Sequence, residues 1–398
     1  MHILLACDSF KGTLTSTRIA ELLVPALQAA GHSTSALSLA DGGDGTVAAV
    51  AACGFTEHTA EVTGPLGTPV TAAWARRGEV AVIEMAQASG INLLLPTPET
   101  ALQATTLGTG ELIRIATDAG CTTIVLGVGG SATTDGGAGM LTALGARLQT
   151  AAGTPIPPGG AGLEELAHID LSGLDPRLVG AAPPVRLQLA FDVDNPLCGP
   201  RGAAAVYGPQ KGAGPEEVRR LDSALAHLAD RLGLADNSDR PGAGAAGGIG
   251  FAAMTVLGAE PMPGAGYIMD LIGFDAALGQ ADAVITGEGR IDDQTLSGKG
   301  PGAVLAAAGA RGLLRIVVCG SADVSADELS ELGTAEHSAR ADAGTPPPRV
   351  RLYAMTDIAT VQTSLAEPER VMAALAERIA ATLPAPADSE RREEQHRA

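Results

Sequence analysis

The sequence predicts an α/β protein of two domains, a Rossmann- or flavodoxin-like doubly wound parallel sheet with a second α/β domain inserted and a cleft between them. Three observations predict it. Short apolar runs separated by helical stretches recur at both ends of the chain, as strands of a parallel sheet do. Residues 57–85 break that rhythm with β-branched stretches divided at Gly64-Pro65 and Arg77-Gly78, the mark of antiparallel strands and of a different domain. The chain's 398 residues also exceed what one small core organises.

In chain order, residues 2–7 read as a buried strand. Residues 15–30 place Ile19, Leu22, Leu23, Ala26 and Leu27 on one helical stripe. A strand over about 32–39 follows, then the turn Asp41-Gly42-Gly43-Asp44-Gly45 and a helix. Strand signals return at 122–128, 186–191, 281–286, 314–319 and 349–355. The last three pair with the first two, giving a discontinuous domain 1–58 plus 276–383, an inserted domain 59–275 and a flexible tail 384–398. The proline-rich stretch 333–349 reads as surface decoration, and 242–259 as a buried glycine-rich loop and helix rather than a membrane span.

A formal net charge of −19 leaves no basic footprint for nucleic acid or an anionic membrane. Aromatic residues make up only 2% of the chain beside 52 glycines, so cores must be aliphatic and close-packed. Five scattered cysteines without a Cys-x-x-Cys pair argue against disulfides or structural zinc, and the amino terminus lacks signal-peptide features, so the expected location is cytoplasmic. The only three lysines, Lys11, Lys211 and Lys299, each adjoin glycine, where an ammonium beside bare backbone suits phosphate.

Chemistry-bearing residues gather at predicted strand ends, where open α/β sheets bind ligands. Asp8, Ser9 and Lys11 follow the first strand; Asp41 and Asp44 follow the second, two carboxylates suited to a hard cation or to an ordinary turn. The stretch from Gly127 to Gly137 enters a helix with Ser131 and Thr133, where backbone N–H groups bind anions. It also matches Gly-x-Gly-x-x-Ala, but no ribose-binding acid follows about twenty residues on. Asp192 ends another strand ahead of Lys211. The densest cluster spans residues 287–301 and contains Gly287, Glu288, Arg290, Asp292, Thr295 and Lys299. Neither a Walker loop nor a protein-kinase loop is present in the sequence.

Taken together, Asp8-Ser9-Phe10-Lys11-Gly12, Asp41-Gly42-Gly43, Thr106-Leu107-Gly108-Thr109-Gly110-Glu111, Gly129-Gly130-Ser131-Ala132-Thr133, Asp192-Val193-Asp194-Asn195-Pro196-Leu197, Gly208-Pro209-Gln210-Lys211-Gly212 and Gly287-Glu288-Gly289-Arg290 resemble the bacterial glycerate kinase family, in family order. The chain departs from the family's pattern at Thr134, Gly300 and Met355-Thr356-Asp357. The resemblance implies ATP and Mg²⁺ as co-reactants, D-glycerate as substrate and 2-phosphoglycerate in preference to 3-phosphoglycerate as product. It leaves a homo-oligomer open. On that reading Asp192, ahead of Asp8, takes the hydroxyl proton, and Lys11 and Lys299 neutralise the transferring phosphoryl group. Asp41, Asp44 or Asp292 hold Mg²⁺. Ser9, Ser131, Thr133, Lys211, Gly287, Glu288, Arg290 and Thr295 bind substrate or phosphate. Competing readings are a nicotinamide-dependent hydroxy-acid dehydrogenase, which leaves the three lysines without a task, and a non-catalytic small-organic-acid binding protein, a class usually exported.

Overall fold

The computed structural model describes residues 1–10, 12–40, 42–180, 184–296, 300–334 and 349–384. The chain divides into two compact units, Met1–Ala40 with Met269–Ala398, and Asp41–Ile268.

The first unit is built on five parallel strands: β1 (His2–Cys7), β2 (Ser33–Ala36), β11 (Ala283–Ile291), β12 (Leu314–Ala322) and β13 (Arg351–Ala354). They lie in the order β13-β12-β11-β1-β2. Counted within this unit alone the order is 2-1-3-4-5, the flavodoxin-like winding, with the reversal between β1 and β11. Alternation along the strands feeds two cores. Ile3, Leu5, Cys7, Ile285, Ile316 and Val318 meet the helices Ser16–Ala29 and Pro368–Thr382 on one face. Val317 and Cys319 meet Leu305 of the helix Pro301–Ala310 on the other. The first helix starts where Thr15 accepts the Arg18 N–H, and its buried stripe is Ile19, Leu23 and Leu27.

In the second unit β3 (Thr56–Thr63), β4 (Pro69–Arg77) and β5 (Val80–Glu84) form an antiparallel meander. It continues in parallel through β6 (Thr123–Gly127), β9 (Arg186–Phe191) and β10 (Glu260–Pro263). A hairpin of β7 (Arg147–Gln149) and β8 (His168–Asp170) stands apart from this sheet. The core is aliphatic, with Trp74 and Phe251 as its large aromatic members. The glycine-rich stretch after 242 is buried as a short turn, Ala245–Gly248, and the helix Ile249–Thr255.

The boundaries differ from those the sequence suggests. The second unit begins at Asp41 rather than at 59, because the helix Thr46–Ala52 belongs to it: the Val47 N–H donates to Glu84 at the end of β5, 3.2 Å away. The return falls at Met269 rather than 276, inside the helix Gly264–Leu271, whose first N–H groups are held by Asp192 of the second unit. Most of the proline-rich stretch and the tail from 385 lie outside the described residues. Among the described residues no helix is long and apolar enough to cross a membrane, and all five cysteines are free.

Candidate active site

In the first unit the predicted residues after β1 and in β11 meet at the carboxyl ends of neighbouring strands. The Asp8 N–H donates to the Gly287 carbonyl at 2.8 Å, extending the β1/β11 pairing by one step. The Asp8 carboxylate accepts the Ser9 N–H at 2.6 Å. Beyond it the chain turns back on itself, with the Phe10 N–H donating to the Leu14 carbonyl and both side chains buried. The Thr295 hydroxyl, 1% exposed, donates to Glu288 Oε1 at 2.7 Å and accepts the Asp292 N–H at 3.3 Å, drawing the segment after β11 toward Glu288. Arg290 is exposed and donates through Nε and Nη2 to Asp323. These strand ends surround a cavity of about 360 Å³ lined by Ser9, Phe10, Glu288, Arg290 and Ser321, among others.

In the second unit the glycine-rich loop after β6 is fixed by side chains the sequence places far away. Lys211 is 2% exposed, and its Nζ donates to the Ser131 hydroxyl at 2.9 Å and to the Thr133 carbonyl at 2.6 Å. Burial pulls its pKa down to about 7, against the attraction of Asp135. Asp135 is fully buried and accepts the Thr106 N–H and hydroxyl at 2.9 and 2.8 Å, together with the N–H groups of Gly137 and Gly139. Desolvation pushes its carboxyl up, and those donors hold it down. The glycines of the Gly-x-Gly-x-x-Ala stretch answer to packing: a Cβ on Gly127 would lie 2.3 Å from the Gly42 carbonyl oxygen, and one on Gly129 would lie 2.5 Å from Gly43 Cα. The two turns close on each other through bare backbone, which a dinucleotide fingerprint does not require.

Other predicted residues take different places. Thr133 is wholly buried with its hydroxyl unpartnered among the described residues, leaving half-buried Ser131 as the more open of the two. Both oxygens of Asp192 accept N–H groups, from Gly264 and Ala265 at 2.9 Å each, so it caps that helix. Asp44 is exposed and accepts the Asn92 amide at 3.0 Å. Lys11, Asp41 and Lys299 lie outside the described residues. No three His, Cys, Asp or Glu side chains among the described residues cluster as a metal site by themselves.

Two residues escape the sequence reading. Asp135, within a stretch read for its glycines, organises the helix entrance. Glu84, 1% exposed at the end of β5, accepts the Val47 N–H and the Gln87 amide, and burial pushes its carboxyl up. An acid closing the run Val80-Ala81-Val82-Ile83 is the signal that points to it.

Residues 3–383 match the family model described as the glycerate kinase family. A glycerate kinase of Bacillus subtilis (strain 168) is 46% identical over 329 residues, spanning 81% of this chain and 85% of that one. A glycerate 2-kinase of Escherichia coli (strain K12) is 44% identical over 309 residues, spanning 76% and 80%. The crystal structure of a protein provisionally named glycerate kinase 2, from Salmonella typhimurium LT2, superposes with a TM-score of 0.75 at 40% identity over 99% of each chain. The chain belongs to the glycerate kinase family.

Proposed function

We propose that this glycerate kinase moves the γ-phosphoryl group of ATP onto the 2-hydroxyl of D-glycerate, with Mg²⁺. The observation that carries the reading is the meeting of Asp8, Gly287, Glu288 and Thr295 at the β1/β11 reversal, the place where doubly wound sheets bind ligands. The name of the Escherichia coli relative, glycerate 2-kinase, supports the choice of hydroxyl.

The glycerate hydroxyl oxygen forms a bond to the γ-phosphorus as the bond to the β–γ bridging oxygen breaks and ADP departs; the hydroxyl proton passes to a carboxylate. Asp192, with both oxygens oriented by backbone N–H groups, is the first candidate for that base, and Asp8 the second. Lys11 and Lys299 offset charge on the phosphoryl group, and positioning supplies much of the acceleration. Ser131, backed by Lys211, offers a hydroxyl to an anionic group, and Arg290 can reach one by exchanging Asp323. Asp292 and Glu288 present oxygen donors only, a set that suits Mg²⁺, which is held by one or two carboxylates and completed by substrate phosphates. Asp44 and Asp41 are the further carboxylates for that role. Bound there, the ion would neutralise charge on the β- and γ-phosphate oxygens.

The test is incubation with ATP, Mg²⁺ and D-glycerate, following ADP release and resolving the phosphoglycerate isomers by phosphorus NMR. ADP release that depends on glycerate, with 2-phosphoglycerate as product, supports the proposal. The 3-isomer would overturn the choice of hydroxyl, and absence of turnover in folded protein would overturn the reaction.

A further inference from the structure

The cavity at the β1/β11 reversal has one wall that phosphoryl transfer leaves unexplained. In the short helix Val361–Ala366, residues Val361, Ser364 and Leu365 stand at i, i+3 and i+4 and share one face. All three line the cavity, beside Phe10 and Met355. Val361 and Leu365 are 60% and 63% exposed, so the rim of a concave site presents apolar surface to water. Ser364, between them, is only 7% exposed, and its hydroxyl has no hydrogen-bond partner among the described residues. A buried polar group without a partner is costly, and a ligand atom would satisfy it.

We propose that this wall is the subsite for the purine base of ATP, with Val361 and Leu365 covering the face of the base and the Ser364 hydroxyl bonding to its edge. The proposal rests on the kinase reading above. Of the two substrates only ATP carries an apolar body able to cover Val361 and Leu365; D-glycerate is three carbons bearing a carboxylate and two hydroxyls. The cavity volume of about 360 Å³ also falls in the range of roughly 300–1,000 Å³ typical of small-molecule sites. Ser9, Thr13, Glu288, Arg290 and Ser321 line the same cavity and supply polar partners for the rest of a nucleotide. The helix Val361–Ala366 is therefore a determinant of nucleotide affinity.

The full-length double variant V361T/L365Q tests this, since both positions are exposed and neither change adds charge. ADP binding is measured by calorimetry and steady-state kinetics are run in both substrates. The expected result is a rise of about tenfold or more in the ADP Kd and in KM for ATP, with KM for glycerate within about twofold, in line with the loss of two apolar contacts. An ADP Kd and a KM for ATP both within about twofold of wild type would overturn the subsite, as would a rise confined to KM for glycerate. If wild-type protein binds ADP but does not phosphorylate glycerate, the reaction reading fails alone, and the ratio of ADP Kd values still decides the subsite. Absence of ADP binding to wild-type protein at millimolar concentration would overturn it outright.

Discussion

Lys211 Nζ reaches the Ser131 hydroxyl at 2.9 Å from a position almost sealed from water. A side chain on the turn after Tyr207 thus holds a loop that follows β6, and its charge state belongs to that loop's structure.

A pH dependence of stability follows from that burial. The folded-state pKa is pulled to about 7 from an ordinary 10.5. Below about 7 the lysine is charged in both states and the cost of burying the charge is fully present. Between about 7 and 10.5 the unfolded chain binds a proton that the folded chain has released, so this residue's contribution makes stability rise with pH. Urea unfolding of wild type and Lys211→Met at pH 7, 8.5 and 10 should show wild type gaining on the variant, by up to about 1.4 kcal/mol per pH unit. A difference that is flat or falls with pH would contradict the assignment.

Asp192→Asn and Asp8→Asn separate the two candidate bases. If Asp192 takes the proton, its replacement should lower kcat by about 10²–10⁴-fold, with the smaller loss at Asp8. The asparagine can still accept one of the two helix N–H groups, so the melting temperature should fall by only a few degrees. The reverse order of kcat losses would move the role to Asp8.

Gly287 is fixed by packing as well as by any ligand. A Cβ there would stand 1.7 Å from the Val318 carbonyl oxygen of β12, a clash with backbone that no side-chain rotation relieves. Gly287→Ala should cost about 3 kcal/mol or more, in the range of the severe single substitutions. Gly153→Ala is the control: its φ is +79° but nothing among the described residues lies within 4 Å of the added carbon, so about 1–2 kcal/mol of backbone strain is expected. Denaturant midpoints of the two variants give the comparison.

Thr295→Val removes the hydroxyl that joins Glu288 to the Asp292 N–H. Loss of about 1–3 kcal/mol is expected from the buried groups left unsatisfied. The Mg²⁺ concentration giving half-maximal rate should rise as well, if Glu288 and Asp292 serve that ion. Thr295→Ser, which keeps the hydroxyl, should restore both; a loss of activity equal to that of the valine variant would show that the methyl group, not the hydroxyl, matters.

Much of the fold is legible in the residues themselves. The apolar runs of β1, β11, β12 and β13 have the length of buried strands, and Ile19, Leu23 and Leu27 repeat at helical spacing. Such patterns are local and survive without knowledge of partners. The crowding of Gly287, Glu288, Arg290, Asp292 and Thr295 is likewise readable, because a strand end concentrates them within a few positions. What the sequence by itself determined was therefore the α/β class, the interruption of one sheet by another, and the segments where chemistry gathers. Tertiary structure alone decided which of those residues touch. Lys211 lies eighty positions from Ser131, Glu84 is paired with Val47, and Gly42 is pressed against Gly127; no periodicity carries such pairs. Burial, too, is set by elements distant in the chain. It set Lys211 against Ser131 and Thr133 and left Val361 and Leu365 on a cavity wall, because desolvation and exposure depend on what packs nearby, not on the residue's neighbours in sequence.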